Sequence, residues 1–314
     1  MTILKNLSGA ALRHLPRERV LALRTTYLGL RGKLSPLLKT MHGGFTTADL
    51  RAHLEVRVGQ FEVLMVHSSL NFMHPYYEGI PADLLEMLVQ FVGPNRTLVM
   101  PAFYLGDPEL NNAIEHYRRT PRFDVRRTPS QMGILTELFR RRTGVKVSLH
   151  PTHRIAALGP LADEITAGHF AAGTTFGPGT PFDVMAAHDT AIIGMGKSSE
   201  VLTQVHHVED LLGDEFPVPR RVTPVEVTVI DSTKTARTYS LRTPIFNRPR
   251  RMSKLRELMS QQRLEEWNFH NVAMFHTRAA WVTEDLLAAA RHGQSIYEAA
   301  ERSASRAGRT SEDA

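Results

Sequence analysis

Short apolar runs alternate with amphipathic stretches along most of this chain. Phe61-Glu-Val-Leu-Met-Val-His67 and Thr97-Leu-Val-Met-Pro101 are compact and apolar, as buried strands are. Thr190-Ala-Ile-Ile-Gly-Met-Gly196 is a third run of this kind, closing on a glycine turn. Between them lie helical patterns. Phe45 to Leu54 opens on a threonine cap signal, Asp83 to Val92 stops at Gly93-Pro94, Met132 to Arg142 ends in a basic cluster, and Trp281 to Ala290 closes the ordered part. Val222 to Leu241 alternates apolar and polar residues about Asp231-Ser232, which predicts an antiparallel hairpin. Gly106 to Ser130 is polar and irregular and reads as a long loop or lid. Strand–helix–strand order predicts an α/β fold, a central sheet flanked by helices, with ligands bound near strand ends such as His67-Ser68-Ser69 and Pro101-Ala-Phe103.

The chain divides into a basic helical leader (1–44), one main domain (45–300) and a disordered tail (301–314). The leader mixes apolar and basic positions at helical spacing, so it packs on the domain or rests on a membrane surface; Pro16 and Gly32 interrupt the stripe. No apolar run reaches transmembrane length and no signal pattern opens the chain, which places the protein in the cytoplasm, with peripheral membrane contact as the variant.

The absence of cysteine narrows the chemistry. With 314 residues and none a cysteine, disulfides, thiolate zinc sites and a Cys nucleophile are excluded. A formal charge of +6 favours anionic partners, but no aromatic-interleaved basic motif suggests nucleic acid.

Two histidine clusters carry the remaining chemistry. In Thr203-x-x-His206-x-x-Glu209, helical spacing puts the imidazole and carboxylate on one face, where the carboxylate fixes the tautomer of a general base. A solvated helix face gives the same pattern. His150-Pro-Thr-His153 is the second; with His206 it supplies three imidazoles for a metal, or it is a proline-fixed turn with structural histidines. Ser68 and Ser69 lie outside any Gly-x-Ser-x-Gly elbow, so they read as ligand donors rather than nucleophiles. The Phe176-Gly-Pro-Gly-Thr-Pro-Phe182 loop lets backbone approach a ligand, yet lacks the lysine of a P-loop.

In order, Val66-His-Ser-Ser-Leu70, Gly93 to Phe103, Met132 to Arg142, His150-Pro-Thr-His153 with Ala156 to Pro160, Phe176 to Pro181 and Thr203 to Glu209 resemble the aminoglycoside 3-N-acetyltransferase family, from about Phe45 to about Ala290. The resemblance implies a CoA-dependent acyltransferase fold distinct from the GCN5 type, with acetyl-CoA as donor, an amine as acceptor and no metal. It implies His206 as catalytic base with Glu209, and a CoA site lined by Ser68 and Ser69. With them we assign His67, Leu70, Phe103 and Thr180 to the CoA side, and His150, His153, Arg154 and Glu137 to the acceptor side. A homodimer is expected.

Arg154 stands where the family commonly has a small hydroxyl residue. Beside the net positive charge, it argues for an acidic acceptor, such as a glycan-borne or nucleotide-linked amino sugar, over a polycationic aminoglycoside. Aminoglycoside N-acetylation, sugar O-acylation, metal-dependent hydrolysis and glycan binding without catalysis remain alternatives.

Overall fold

The computed structural model describes residues 32–110 and 112–299, together with Arg19, Thr26, Gly29 and Leu30. The strands are β1 (Val63–Ser68), β2 (Thr97–Pro101), β3 (Arg122–Asp124), β4 (Lys146–Val147), β5 (Ile155–Leu158), β6 (Thr190–Met195), β7 (Arg220–Val222), β8 (Val225–Ile230), β9 (Ala236–Leu241), β10 (Pro244–Phe246), β11 (Glu265–Phe269) and β12 (Val272–Arg278). The main sheet has the order β11-β12-β6-β1-β2-β5-β4. β1 runs parallel to both β2 and β6, and its outer neighbours are antiparallel, so the sheet is mixed.

The apolar runs are continuous because both faces of the sheet are covered. Leu64 and Val66 of β1 join the core beneath the Thr47–Arg57, Pro81–Val92 and Ile134–Arg140 helices, whereas Val63 and Met65 join the opposite core beneath Pro181–Ala187, Val205–Leu212 and Ala279–Arg291. At burial of about 25 cal/mol per Å² of apolar surface, each such side chain contributes roughly 1.5–3 kcal/mol. The first covering helix starts as its sequence indicates: Thr46 and Asp49 form a reciprocal capping box. In β6, Gly194 lies under the Phe275 ring of β12, which leaves no room for a Cβ. Gly196, at φ +68°, turns the chain past the Ser69 carbonyl at the end of β6.

A satellite core holds Ile114, Tyr117, Phe123, Val125, Val227, Val229, Tyr239 and Leu241. It contains the expected hairpin as β8–β9, and also corrects the expectation of a lid between Gly106 and Ser130. Asn112 caps the Ala113–Arg119 helix, whose Ile114 and Tyr117 pack against β3 and β8. Elements of seven and three residues are too short to show a period in sequence.

Of the leader, Ser35–His42 is helical; its apolar-basic stretch from Ala11 to Arg24 lies outside the described residues apart from Arg19, as does the tail from 301 onward. No helix among the described residues is long and apolar enough to cross a membrane.

Candidate active site

A cleft of about 1190 Å³ opens where the carboxyl ends of β1, β2 and β6 meet. β1 connects onward to β2 on one side and lies against β6 on the other, so this is the topological switch point of the parallel strands. His67, Ser68, Ser69 and Leu70 leave the end of β1 into its wall, and Pro101 and Phe103 do so from β2.

His206 lies in the first turn of the Val205–Leu212 helix and faces this cleft. Its Nδ1 is 2.9 Å from Glu209 Oε2, one helical turn along. The other carboxylate oxygen accepts the Tyr297 hydroxyl at 3.0 Å. Arg250 Nη1 lies 2.7 Å from His206 Nε2. A guanidinium only donates, so Nε2 carries the lone pair and Nδ1 the proton, which it donates to Glu209. Glu209 therefore sets the tautomer a general base needs, with Nε2 toward the cleft. Beside it, the Tyr297 hydroxyl is held well above its usual range by burial and then by the Glu209 charge, so it stays a proton donor.

An alternating row of rings connects the two histidine clusters. Phe103 meets His153 at 4.7 Å between centroids, His153 meets Phe176 at 4.9 Å, and Phe176 meets His206 at 5.0 Å. His153 lines the cleft and is driven down to about 3 by burial and then by the neighbouring His206 and His169 rings and the Arg250 guanidinium. It is a neutral wall residue at ordinary pH. His67, also at the wall, is held at about 4 by burial and then by Lys197, and its buried Nε2 has no partner. That atom is available to a polar group in the cleft.

Four expected site residues lie elsewhere. Arg154 is fully buried, with Nε, Nη1 and Nη2 donating to the carbonyls of Ala102, Val125 and Thr128, so no donor points at a ligand. His150 is buried too; its Nδ1 accepts the Thr152 and His153 amides, and its ring stacks on His169 at 4.5 Å. Glu137 binds Arg140, Arg141 and the Ser130 amide away from the cleft. Burial alone would raise its pKa, but these donors outweigh it and hold it at about 2. Thr180 is buried and donates to the Gly177 carbonyl, fixing the loop before the Pro181–Ala187 helix. The Ser69 amide is likewise committed, to the Met195 carbonyl at 2.9 Å, so it does not serve an oxyanion. The amides of Leu70 and Asn71, in the first turn that follows, have no intrahelical acceptor and line the same wall.

Sequence reasoning missed Lys197, Arg248, Arg250 and Tyr297, all of which line the cleft. The Arg248-Pro-Arg-Arg251 run gave the one available signal, a basic cluster held extended by proline. Among the described residues, no group of three His, Asp or Glu side chains is placed to hold a metal.

The aminoglycoside 3-N-acetyltransferase family profile matches residues 65–292. Among curated relatives, aminoglycoside N(3)-acetyltransferase III of Serratia marcescens is 32% identical over 185 residues, covering 56% of this chain and 66% of that protein. Aminoglycoside N(3)-acetyltransferase IV of Salmonella sp is 30% identical over 163 residues, covering 51% and 57%. The chain thus matches less than two thirds of the length of these relatives. Among solved structures, aminoglycoside acetyltransferase AAC(3)-Xa superposes with a TM-score of 0.65 at 21% identity, covering 81% of this chain and 95% of that one. AAC-IIIb in a binary complex with CoASH superposes at 0.60 and 21% identity, covering 78% and 95%. These two likenesses establish the fold.

Proposed function

The chain belongs to the aminoglycoside 3-N-acetyltransferase family, and we propose that it transfers an acetyl group from acetyl-CoA to an amino group on an amino sugar. The observation that carries this reading is the Tyr297–Glu209–His206 relay, which holds a neutral imidazole with its basic nitrogen in the cleft. The family and a CoASH complex of a structural neighbour support the donor. The relatives' names support an aminoglycoside as acceptor. The cations Lys197, Arg248 and Arg250 in the cleft support a second reading, an amino sugar that carries an acidic group, as in an anionic glycan or a nucleotide-linked sugar.

The reaction needs both substrates at one base. The acceptor nitrogen attacks the thioester carbonyl as His206 Nε2 takes its proton. The C–N bond forms, the C–S bond breaks, and the departing thiolate recovers the proton from His206, giving an amide and free CoA. Glu209 holds Nδ1 throughout and offsets the transient imidazolium charge. The Leu70 and Asn71 amides, with the Ser68 hydroxyl, are the donors at the wall for the carbonyl oxygen.

The test is free-thiol release from acetyl-CoA with a panel of amino sugars that includes aminoglycosides; the chain has no cysteine to add background. His206→Ala is expected to lower kcat by roughly 100- to 10,000-fold with the fold intact by circular dichroism. Near-normal turnover in that variant, or no thiol release with any amine, overturns the reading.

A further inference from the structure

Arg248 and Arg250 flank Pro249 in the segment after β10, and both line the cleft. Neither has a carboxylate partner among the described residues, whereas the next residue, Arg251, pairs with Glu298. Arg250 makes its bond to His206 Nε2, at 2.7 Å, with one of its five N–H donors. Nε2 is also the lone pair that must take the acceptor's proton. While Arg250 sits there, the base is capped.

Something must draw the guanidinium away for the base to act. A planar fork of donors binds phosphate or carboxylate through two parallel bonds, more strongly than it binds a neutral imidazole. Arg250 pairs with neither carboxylate that lines the cleft: Glu209 is engaged at both oxygens by His206 and Tyr297, and Asp107 accepts the Glu109 amide at Oδ1. The CoA phosphates do not suit either. With the thioester at His206, the pantetheine arm holds them at its far end. A polycationic acceptor would add charge to a wall that already carries Lys197, Arg248 and Arg250.

We propose that Arg250, assisted by Arg248, is the specificity residue of this enzyme: it binds a phosphate or carboxylate on the amino-sugar acceptor and in doing so uncaps His206. The inference rests on the transferase reading. It names the acceptor class as amino sugars with an acidic substituent within reach of the reacting amine. Recognition and activation are then one event, because the group that binds is the group that frees the base.

Steady-state kinetics on the full chain at saturating acetyl-CoA test this with glucosamine, glucosamine 6-phosphate, muramic acid and kanamycin. The wild type is expected to favour one or both acidic sugars over glucosamine and kanamycin in kcat/KM by about tenfold or more. The phosphate and carboxylate arms identify the anion. Arg250→Ala is expected to lose about 10- to 100-fold on the preferred acidic sugar, chiefly in KM, while kcat on glucosamine rises because Nε2 is uncapped. Arg250→Lys, which keeps the charge but not the fork, falls between. Arg291→Ala removes an exposed cation outside the cleft and leaves the selectivity unchanged.

A wild-type preference for kanamycin, or a proportional loss on all acceptors in Arg250→Ala, overturns the proposal while leaving the transferase reading standing. Titration calorimetry with glucosamine 6-phosphate and with muramic acid gives a readout independent of turnover. Binding weakened by Arg250→Ala supports the anion site even without thiol release, which would fail the transferase reading alone. Equal affinity for both proteins overturns the anion site.

Discussion

Arg154 has the chemistry of a ligand-binding residue and the surroundings of a structural one. Its guanidinium is buried over the Phe123 ring at 5.2 Å, and its three nitrogens reach carbonyls at 2.7, 2.9 and 2.6 Å. Burial, and then repulsion from Arg140, lowers its pKa only to about 10, so it remains charged at neutral pH and its donors stay directed. Arg154→Met fills similar space but leaves the Ala102, Val125 and Thr128 carbonyls unpaired. The expected loss is on the order of 3 kcal/mol, read as a lower Tm, with KM for acetyl-CoA unchanged in the folded fraction. A raised KM at unchanged Tm would return Arg154 to the site. The sequence showed that the His-Pro-Thr-His-Arg segment matters, but not which way each residue faces. His153 closes the turn ahead of β5 and reaches the cleft, whereas Arg154 leads into the strand and reaches the core. Helical spacing put His206 and Glu209 on one face, and the family resemblance set the pair apart from a solvated helix surface. Arg154 does not reach the cleft and lends no support to an acidic acceptor; the proposal of one rests on Arg248 and Arg250 alone.

At the scale of elements, the Val205–Leu212 helix does more than carry the base. Phe176, the ring between His153 and His206, is clamped at both ends of its peptide by this helix. Its amide donates to Asp210 Oδ2 at 2.9 Å, and its carbonyl accepts His207 Nδ1 at 2.5 Å. Asp210 in turn pairs with Arg220 at 2.8 Å at the start of β7. One helix thus registers the loop that forms the aromatic wall against the base. Asp210→Ala is expected to cost about 3 kcal/mol, since it strands Arg220 and the Phe176 amide in a nearly closed site. It should also raise KM by several-fold through a displaced ring, checked by calorimetry and kinetics together. Lower stability with unchanged KM would confine Asp210 to a structural role. The sheet's central strands were legible because covering both faces leaves an unbroken apolar run. The β11–β12 hairpin was not, because its turn uses His270 and Asn271 at positive φ, 45° and 62°, where asparagine-glycine is the usual signal.

For the whole molecule, histidine burial sets the pH range of stability. His67, His150 and His169 are buried, His153 is half-buried at the cleft wall, and all four are depressed, chiefly by desolvation. His153 and His169 stand at about 3 and His67 at about 4, against 6.5 for a free imidazole. Between those values the unfolded chain binds more protons than the folded one. Their contribution is therefore fully present above about pH 6.5 and is lost as pH falls toward 3. His188 has the opposite sign: its hydrogen bond to Glu164 raises its pKa, so its contribution is present below 6.5 and lost as pH rises. That group stands near the surface, where screening weakens it, whereas the buried His207 and His276 are also depressed by desolvation and add to the loss on acidification. Glu137 does not compete in this window, because its contribution is lost only as pH falls from 4.5 toward 2. The balance favours loss on acidification, and the +6 net charge adds self-repulsion as carboxylates neutralise. The expected outcome is a Tm roughly constant from pH 7 to 8 that drops by on the order of 10 °C by pH 5. Scanning calorimetry at fixed ionic strength measures it. A flat profile down to pH 5 would mean that these imidazoles take up protons in place, against partners that their burial does not provide.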